Sequence, residues 1–183
     1  MHKITLHNIT KMRHTLQWVK NLYYNSFPIE ERRPWHSIEQ LLLTRSNVYS
    51  FNIITNNDQP IGLITMWTFD SFYYIEHFAI DPDIRGNGFG AATLKQLILE
   101  TNCPIVLEVE LPSNGDIACR RIDFYHRNGF TAHYDFDYTQ PPYSKDMPPV
   151  PLMLMSANAP TLLDLNHITA TLYKEVYKVT SPF

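Results

Sequence analysis

The sequence predicts a mixed α/β sandwich, an α+β arrangement of helices around a mixed sheet with one parallel crossover. Three observations carry that prediction. Helical spacing opens the chain, and β-branched and aromatic runs with turn residues between them occupy Val48 to Ile80. A strand, loop, helix, strand, helix unit follows. The 183 residues are 44% hydrophobic and 18% charged, which excludes general disorder. A globule of this length hides roughly 70% of its extended surface, enough for one sizeable core.

Ile4 to Leu6 reads as a short first strand. From about Thr10, Leu16, Val19, Leu22 and Tyr23 follow helical spacing and stop before Pro28. A second helix starts near Pro34, with Ile38, Leu41 and Leu42 on one face. Val48–Thr55 and Ile61–Phe69 form a hairpin through the turn chemistry of Asn56-Asn57-Asp58-Gln59. Ser71–Ile80 is a third strand, ended by Asp81-Pro82-Asp83. Leu94, Leu97 and Ile98 mark a helix from about Gly88 to Thr101. Pro104–Leu111 is a strand, and Asp116 is expected to cap a helix running to Arg127 with Gly129 just past it. Phe130–Thr139 and Val150–Met155 are expected as a closing antiparallel pair joined by a proline-rich loop. Beyond Pro160, Leu165, Ile168, Leu172, Val176 and Val179 share one side of a separate amphipathic helix. That seam must be buried, either against its own domain or across a two-fold homodimer.

Several function classes are excluded at once. With 15 Lys+Arg against 18 Asp+Glu and a pI of 6.2, there is no basic footprint for nucleic acid. No apolar run approaches the ~20 residues that span a bilayer, and the first residues lack the apolar stretch of a signal peptide, so no membrane partner and a cytoplasmic location are expected. Cys103 and Cys119 cannot make a disulfide scaffold, and the histidines lack paired metal spacing, so no metal is expected.

The most informative stretch is Ile75-Glu76-His77-Phe78-Ala79-Ile80-Asp81-Pro82-Asp83-Ile84-Arg85-Gly86-Asn87-Gly88-Phe89-Gly90. A strand enters a glycine turn in which a helix begins. The free amides and dipole of such a helix start suit a phosphate or pyrophosphate, and Arg85 adds a positive charge. A tight turn that binds nothing is the plainer reading of the glycines alone. Gly86 to Ala91 can be aligned with the dinucleotide pattern GxGxxA, with Glu108 or Glu110 about 20 residues later. Against that, Asp81–Arg85 separate the strand from the glycines, and the loop lies mid-chain after a hairpin. No Gly-Lys-Ser/Thr supports a P-loop.

Arg85-Gly86-Asn87-Gly88-Phe89-Gly90 resembles the Arg/Gln-x-x-Gly-x-Gly/Ala signature of the GNAT superfamily, the GCN5-related N-acetyltransferases. Arg121-Ile122-Asp123-Phe124-Tyr125-His126-Arg127-Asn128-Gly129-Phe130 resembles that family's later helix, where a Tyr precedes a Gly-Phe strand start. The element order from Ile4 to Met155 agrees with the family, and Phe27–Pro34 is similar to a segment of one bacterial branch. The chain then divides into a GNAT domain at 1–158 and a C-terminal helical extension at 159–183. Ala118 departs from the pattern, standing where many members place an Asn that contacts the pantetheine arm.

The resemblance implies a GNAT acyl-CoA N-acyltransferase fold with an extra C-terminal helix. It implies acetyl-CoA as cosubstrate and direct transfer of acetyl to a primary amine of a small molecule or peptide. A non-catalytic acyl-CoA-binding module is the alternative. The family's fourth strand bulges and splays from the fifth, which assigns the cosubstrate to Phe78, Ala79, Ile80, Arg85, Gly86, Asn87, Gly88, Phe89, Gly90 and Ala91. A lysine-like amine must lose a proton before attack. Strand alternation sets Tyr74, Glu76 and Phe78 on one face and Ile75, His77 and Ala79 on the other. Glu76 is the first candidate base and Glu108, on the next strand, the second. A carboxylate balancing an arginine at a sheet surface is the plainer reading of Glu76. His77 has the better intrinsic pKa but the wrong face, unless a bulge shifts the alternation. Tyr125 is the expected acid for the departing thiolate. No Cys–His or Ser–His arrangement supports an acyl-enzyme.

Overall fold

The computed structural model describes residues 2–144, 146–159 and 163–179. Strand β1 (Ile4–Asn8) leads through two 3-10 turns, Ile9–Lys11 and Arg13–Thr15, into α1 (Leu16–Ser26). The first helix therefore begins six residues later than the expected Thr10, after a break at Met12. Helix α2 (Trp35–Thr44) starts at Pro34 as expected, since proline has no amide to leave unpaired there. β2 (Tyr49–Asn56) and β3 (Gln59–Thr68) form the expected hairpin. Asn57 and Asp58 take positive φ of 48° and 63°, the turn geometry that matches strand twist.

β4 (Tyr73–Ile80), α3 (Phe89–Glu100) and β5 (Ile105–Glu110) make the crossover, followed by α4 (Asp116–Arg127). Gly115 rather than Asp116 occupies the cap position of α4, and no side chain caps that end. The expected closing pair is broken in two. β6 (Thr131–Ala132) and β7 (Tyr138–Gln140) each pair with a different stretch of β8 (Val150–Ala157), with residues 133–137 looping out between them. The expected helix start at Pro160 lies outside the described residues. Helix α5 (Leu165–Thr171) runs into a π-helical turn at Leu172–Tyr177.

All strands join one 8-stranded sheet in the order β1-β2-β3-β4-β5-β8-β6, with β7 added on β8. Among the described residues only β4 and β5 run parallel. Two apolar cores flank the sheet. One is built by Val19, Tyr23, Ile38, Phe51, Trp67 and Tyr74 with the C-terminal extension, the other by Ile64, Ile75, Leu94, Leu107, Ile122 and Met155. Ile168, Leu172 and Val176 of the extension are buried against the first core by the chain itself. That burial is enough to hold the extension on its own domain, because ordering it is offset by roughly 1.5–3 kcal/mol per fully buried aliphatic side chain.

Candidate active site

β4 and β5 pair only at Tyr73–Ile105, Tyr74–Val106 and Ile75–Leu107, and then separate. The separation coincides with a bulge. Thr65 faces His77 and Met66 faces Ile75, which leaves Glu76 as an extra residue on β4. The bulge overturns the simple alternation read from sequence. Tyr74 and Ala79 belong to the core shared with α1, whereas Ile75, Phe78 and Ile80 face α3 and α4. Glu76 and His77 now point to the same side, toward Trp67 and Tyr23 respectively.

A cleft of about 620 Å³ fills the opening between the strands. Its walls are the end of β4 (Phe78, Ala79, Ile80) and β5 (Leu107, Glu108, Glu110). The loop from Arg85 to Ala91 closes one end; Asn25–Pro28 and Glu31, at and beyond the end of α1, border it elsewhere. Asn87 is the one residue of that loop not in contact with the cavity; its side chain donates instead to the Ile84 carbonyl at 2.9 Å.

Main-chain donors line the cleft by simple geometry. The Asp81 amide donates to Ile61 on β3, and main-chain groups alternate sides along a strand. The Phe78 and Ile80 amides are therefore directed away from β3, into the gap that β5 has left. In the loop, Gly86 and Gly88 hold φ of 83° and 79°, the left-handed conformation in which a side chain would be strained. The first bond inside α3 runs from Ala92 to the Gly88 carbonyl at 2.9 Å, so the Phe89, Gly90 and Ala91 amides have no partner in the helix. Gly90 packs closely under α4: a Cβ there would sit 3.1 Å from the Phe124 ring, which would have to give by a few tenths of an ångström. The Arg85 Nε donates to the Ile80 carbonyl at 3.0 Å, which holds the guanidinium beside the loop.

The candidate bases are in unlike environments. Glu76 is fully enclosed: Arg33 Nε donates to Oε1 at 2.7 Å, Tyr143 to Oε1 at 2.9 Å and Trp67 Nε1 to Oε2 at 2.9 Å. Burial by itself would raise its pKa, but Arg33, His77 and these hydrogen bonds outweigh that and hold the carboxyl below its ordinary value. The group is a fixed anion, with little tendency to accept a proton. His77 is also committed. Its Nε2 meets the Glu31 carbonyl at 3.1 Å, which can only accept, so Nε2 carries the proton and Nδ1 accepts from Thr65 at 2.9 Å. Desolvation pushes it down to about 4, a neutral core histidine.

Glu108 differs. Among the described residues no cation sits beside it, and desolvation pushes its carboxyl up to about 7 despite hydrogen bonds from neighbouring phenols. Tyr138 donates to Oε1 and Tyr177 spans both oxygens at 3.1 and 2.9 Å. On the opposite wall Tyr125 packs its ring against Phe124 and Phe130, at centroid distances of 5.4 and 5.6 Å. Burial pushes the phenol up to about 12, so it is protonated at neutral pH. Glu31 and Glu110 approach across the cleft. Burial and the Glu110 charge raise the Glu31 pKa, while Arg121, ion-paired with Glu110, opposes them.

The region described as "Acetyltransferase (GNAT) domain" matches residues 47–132, which span β2 to β6 and every wall of the cleft except those from Asn25–Pro28, Glu31, Gln140 and Leu152. A solved candidate acetyltransferase of the GNAT family from Bacteroides thetaiotaomicron is 39% identical, covering 97% of this chain and 99% of its own, with a TM-score of 0.85. The chain belongs to the GNAT acetyltransferase family. The candidate acetyltransferase YjbC of Bacillus subtilis is 33% identical over 125 residues, 67% of this chain, and the match spans 61% of that protein's length. A GNAT acetyltransferase from Elizabethkingia anophelis solved with acetyl-CoA bound shares the fold at 16% identity and a TM-score of 0.55, over 84% of this chain and 97% of its own.

Among the GNAT-derived expectations, the β4 bulge, the β4–β5 separation and the helix start at the glycines are all present in this chain. The site also contains residues that the sequence did not single out: Arg33, Tyr138, Tyr143 and Tyr177 around the carboxylates, and Glu31 and Gln140 on the rim. Arg33 sits in the run Glu30-Glu31-Arg32-Arg33, which reads as a solvated charge cluster. The plainer reading of Glu76, a carboxylate balancing an arginine at a sheet surface, was the one signal that pointed to such a partner, and the structure places that pair out of solvent.

Proposed function

We propose that this GNAT chain is an N-acetyltransferase that moves acetyl directly from acetyl-CoA to a primary amine. Glu108 is its general base and Tyr125 its general acid. The observation that carries the reading is the opening between β4 and β5, with free loop amides at one end and, in its wall, the Glu108 carboxyl, which desolvation raises. The acetyl-CoA complex of the Elizabethkingia protein supports the choice of cosubstrate.

The pyrophosphate is held by the amides of Gly86 to Ala91 with Arg85. The Phe78 and Ile80 amides polarise the thioester carbonyl and stabilise the oxyanion, a contribution of typically ~3 kcal/mol per fixed donor. A carboxyl near pH 7 is about half ionised at neutral pH, so it can take the proton the ammonium must give up before attack and then release it to solvent. The neutral nitrogen attacks the thioester carbon, the carbon–sulfur bond breaks, Tyr125 gives its proton to the leaving thiolate, and the proton then lost by the acylated nitrogen restores the phenol. Glu76 supports this arrangement from beneath as a fixed anion, and the Glu31–Glu110 approach favours a cationic acceptor over an anionic one.

CoA and acetyl-CoA are expected to raise the melting temperature, while NAD and ATP do not, by about 2.7 kcal/mol at a hundredfold excess over the dissociation constant. An equal shift with NAD would overturn the assignment of the glycine loop. Release of free thiol from acetyl-CoA, measured across a panel of primary amines, tests the reaction. Binding of CoA without turnover on any amine would leave a non-catalytic acyl-CoA module. Tyr125→Phe keeps the ring packed between Phe124 and Phe130 and deletes only the donor. Turnover is expected to fall more than tenfold with CoA affinity nearly unchanged; unaltered turnover, with chemistry rate-limiting, would return Tyr125 to a packing role.

A further inference from the structure

The C-terminal extension lies outside the matched domain at 47–132, yet it reaches the same carboxylates as the cleft. We infer that its π-helical turn, Leu172–Tyr177, is a positioning element for catalysis: it delivers the Tyr177 hydroxyl to both oxygens of Glu108 and so favours the ionised form of the base. The inference rests on the reading of Glu108 as the base.

The turn is built for this contact rather than for burial alone. Along a regular α-helix each residue rotates ~100°, so Leu172 and Val176 fall within the stripe of Ile168, while Tyr177 lies roughly 180° away. The apolar stripe needs no irregularity. A turn closed by i→i+5 bonds holds an extra residue and swings Tyr177 back toward the stripe by up to ~100°. Here the Lys178 amide bonds the Tyr173 carbonyl five residues back, and Lys178 ends the turn at a φ of 60°. The result is a relay: the Tyr74 hydroxyl meets Tyr177 at 3.0 Å, and Tyr177 spans Glu108. The same turn offers the Val176 carbonyl to Arg33 Nη2 at 2.9 Å, and Arg33 is the partner of Glu76. Tyr173 donates to the Thr139 carbonyl at 2.6 Å, beside the Tyr138 that also binds Glu108.

Among the described residues, the titratable neighbours of Glu108 come from four places in the chain. Tyr74 and Glu76 come from β4, Tyr138 from β7, Tyr143 from the β7–β8 connection, and Tyr173 and Tyr177 from the turn. The Glu76 charge is neutralised by Arg33. The phenols are held protonated by burial and act as donors. Removing one donor from a carboxylate destabilises its charged form, so its titration must move up.

The test is carbon-13 NMR of glutamate carboxyls in the full chain, with the Glu108 resonance assigned by its loss in Glu108→Gln. In Tyr177→Phe the Glu108 midpoint is expected to rise by about one pH unit. The acid limb of kcat/KM, measured with acetyl-CoA and n-butylamine at high concentration, should rise with it. Tyr173→Phe, on the same turn but bonded to the Thr139 carbonyl, should move neither. A midpoint unmoved in Tyr177→Phe, with Glu108→Gln inactive, would overturn the inference and leave the base assignment intact. Full activity of Glu108→Gln would instead overturn the base assignment, and the catalytic role of the turn with it.

Discussion

Arg33→Ala is expected to lower the melting temperature by roughly 10 °C at neutral pH, the largest loss of stability from any single change near the site. The substitution strands Glu76 as an unpaired charge with no exposed side-chain surface, a situation that costs about 3–5 kcal/mol. It also frees the Val176 carbonyl that Arg33 holds. The pH dependence has a definite sign. The folded protein holds the Glu76 pKa below its unfolded value, so its stabilisation is complete above the ordinary carboxylate range and lost as pH falls through the depressed value. Without Arg33 the same carboxyl is pushed upward by burial. The gap between parent and variant should therefore be widest above about pH 6 and narrow toward pH 4. Thermal unfolding followed by circular dichroism across that range reads both effects. A parent-like melting curve at pH 7 would mean that water or another cation compensates Glu76. A variant that also replaces Glu76 by Gln should recover much of the loss, since removing both charges deletes the unpaired group.

Glu108→Gln is expected to reduce turnover by roughly 10²- to 10⁴-fold at neutral pH, with partial recovery at high pH where free amine is supplied by the solvent. Stability should move the other way. The folded pKa of Glu108, about 7, lies above its unfolded value, so the carboxyl contributes stability fully at low pH and loses it as pH rises through 7. A neutral amide escapes that loss. Glu108→Gln should thus melt at or above the parent temperature at pH 8 while being nearly inactive, the signature of a group kept for chemistry rather than for folding. Comparable turnover in the variant under conditions where chemistry limits the rate would remove Glu108 from the mechanism. Glu76→Gln gives the contrast: it breaks the Arg33 pair, so its activity loss should accompany a loss of stability.

Much of this protein was determined by local sequence. The hairpin follows from Asn57 and Asp58, which tolerate the positive φ of a tight turn, and α2 begins at Pro34 because proline lacks the amide that a helix start leaves unpaired. The glycine loop is legible for the same reason, since Gly86 and Gly88 adopt a conformation that other residues resist. The strand-level reading failed where tertiary structure intervened. One extra residue at Glu76 rotated the end of β4, put His77 on the face of Glu76, and separated Phe78 from both. A bulge depends on the partner strand, and periodicity within one strand cannot reveal it. The roles of the two carboxylates were also beyond the sequence. Glu76 and Glu108 occur in similar apolar strands, and their difference comes from Arg33, 43 residues from Glu76, and from Tyr177, 69 residues beyond Glu108. The chain's local chemistry set the glycine turn and the helix start behind it; long-range burial and charge decided which acid stays ionised and which is left able to take a proton.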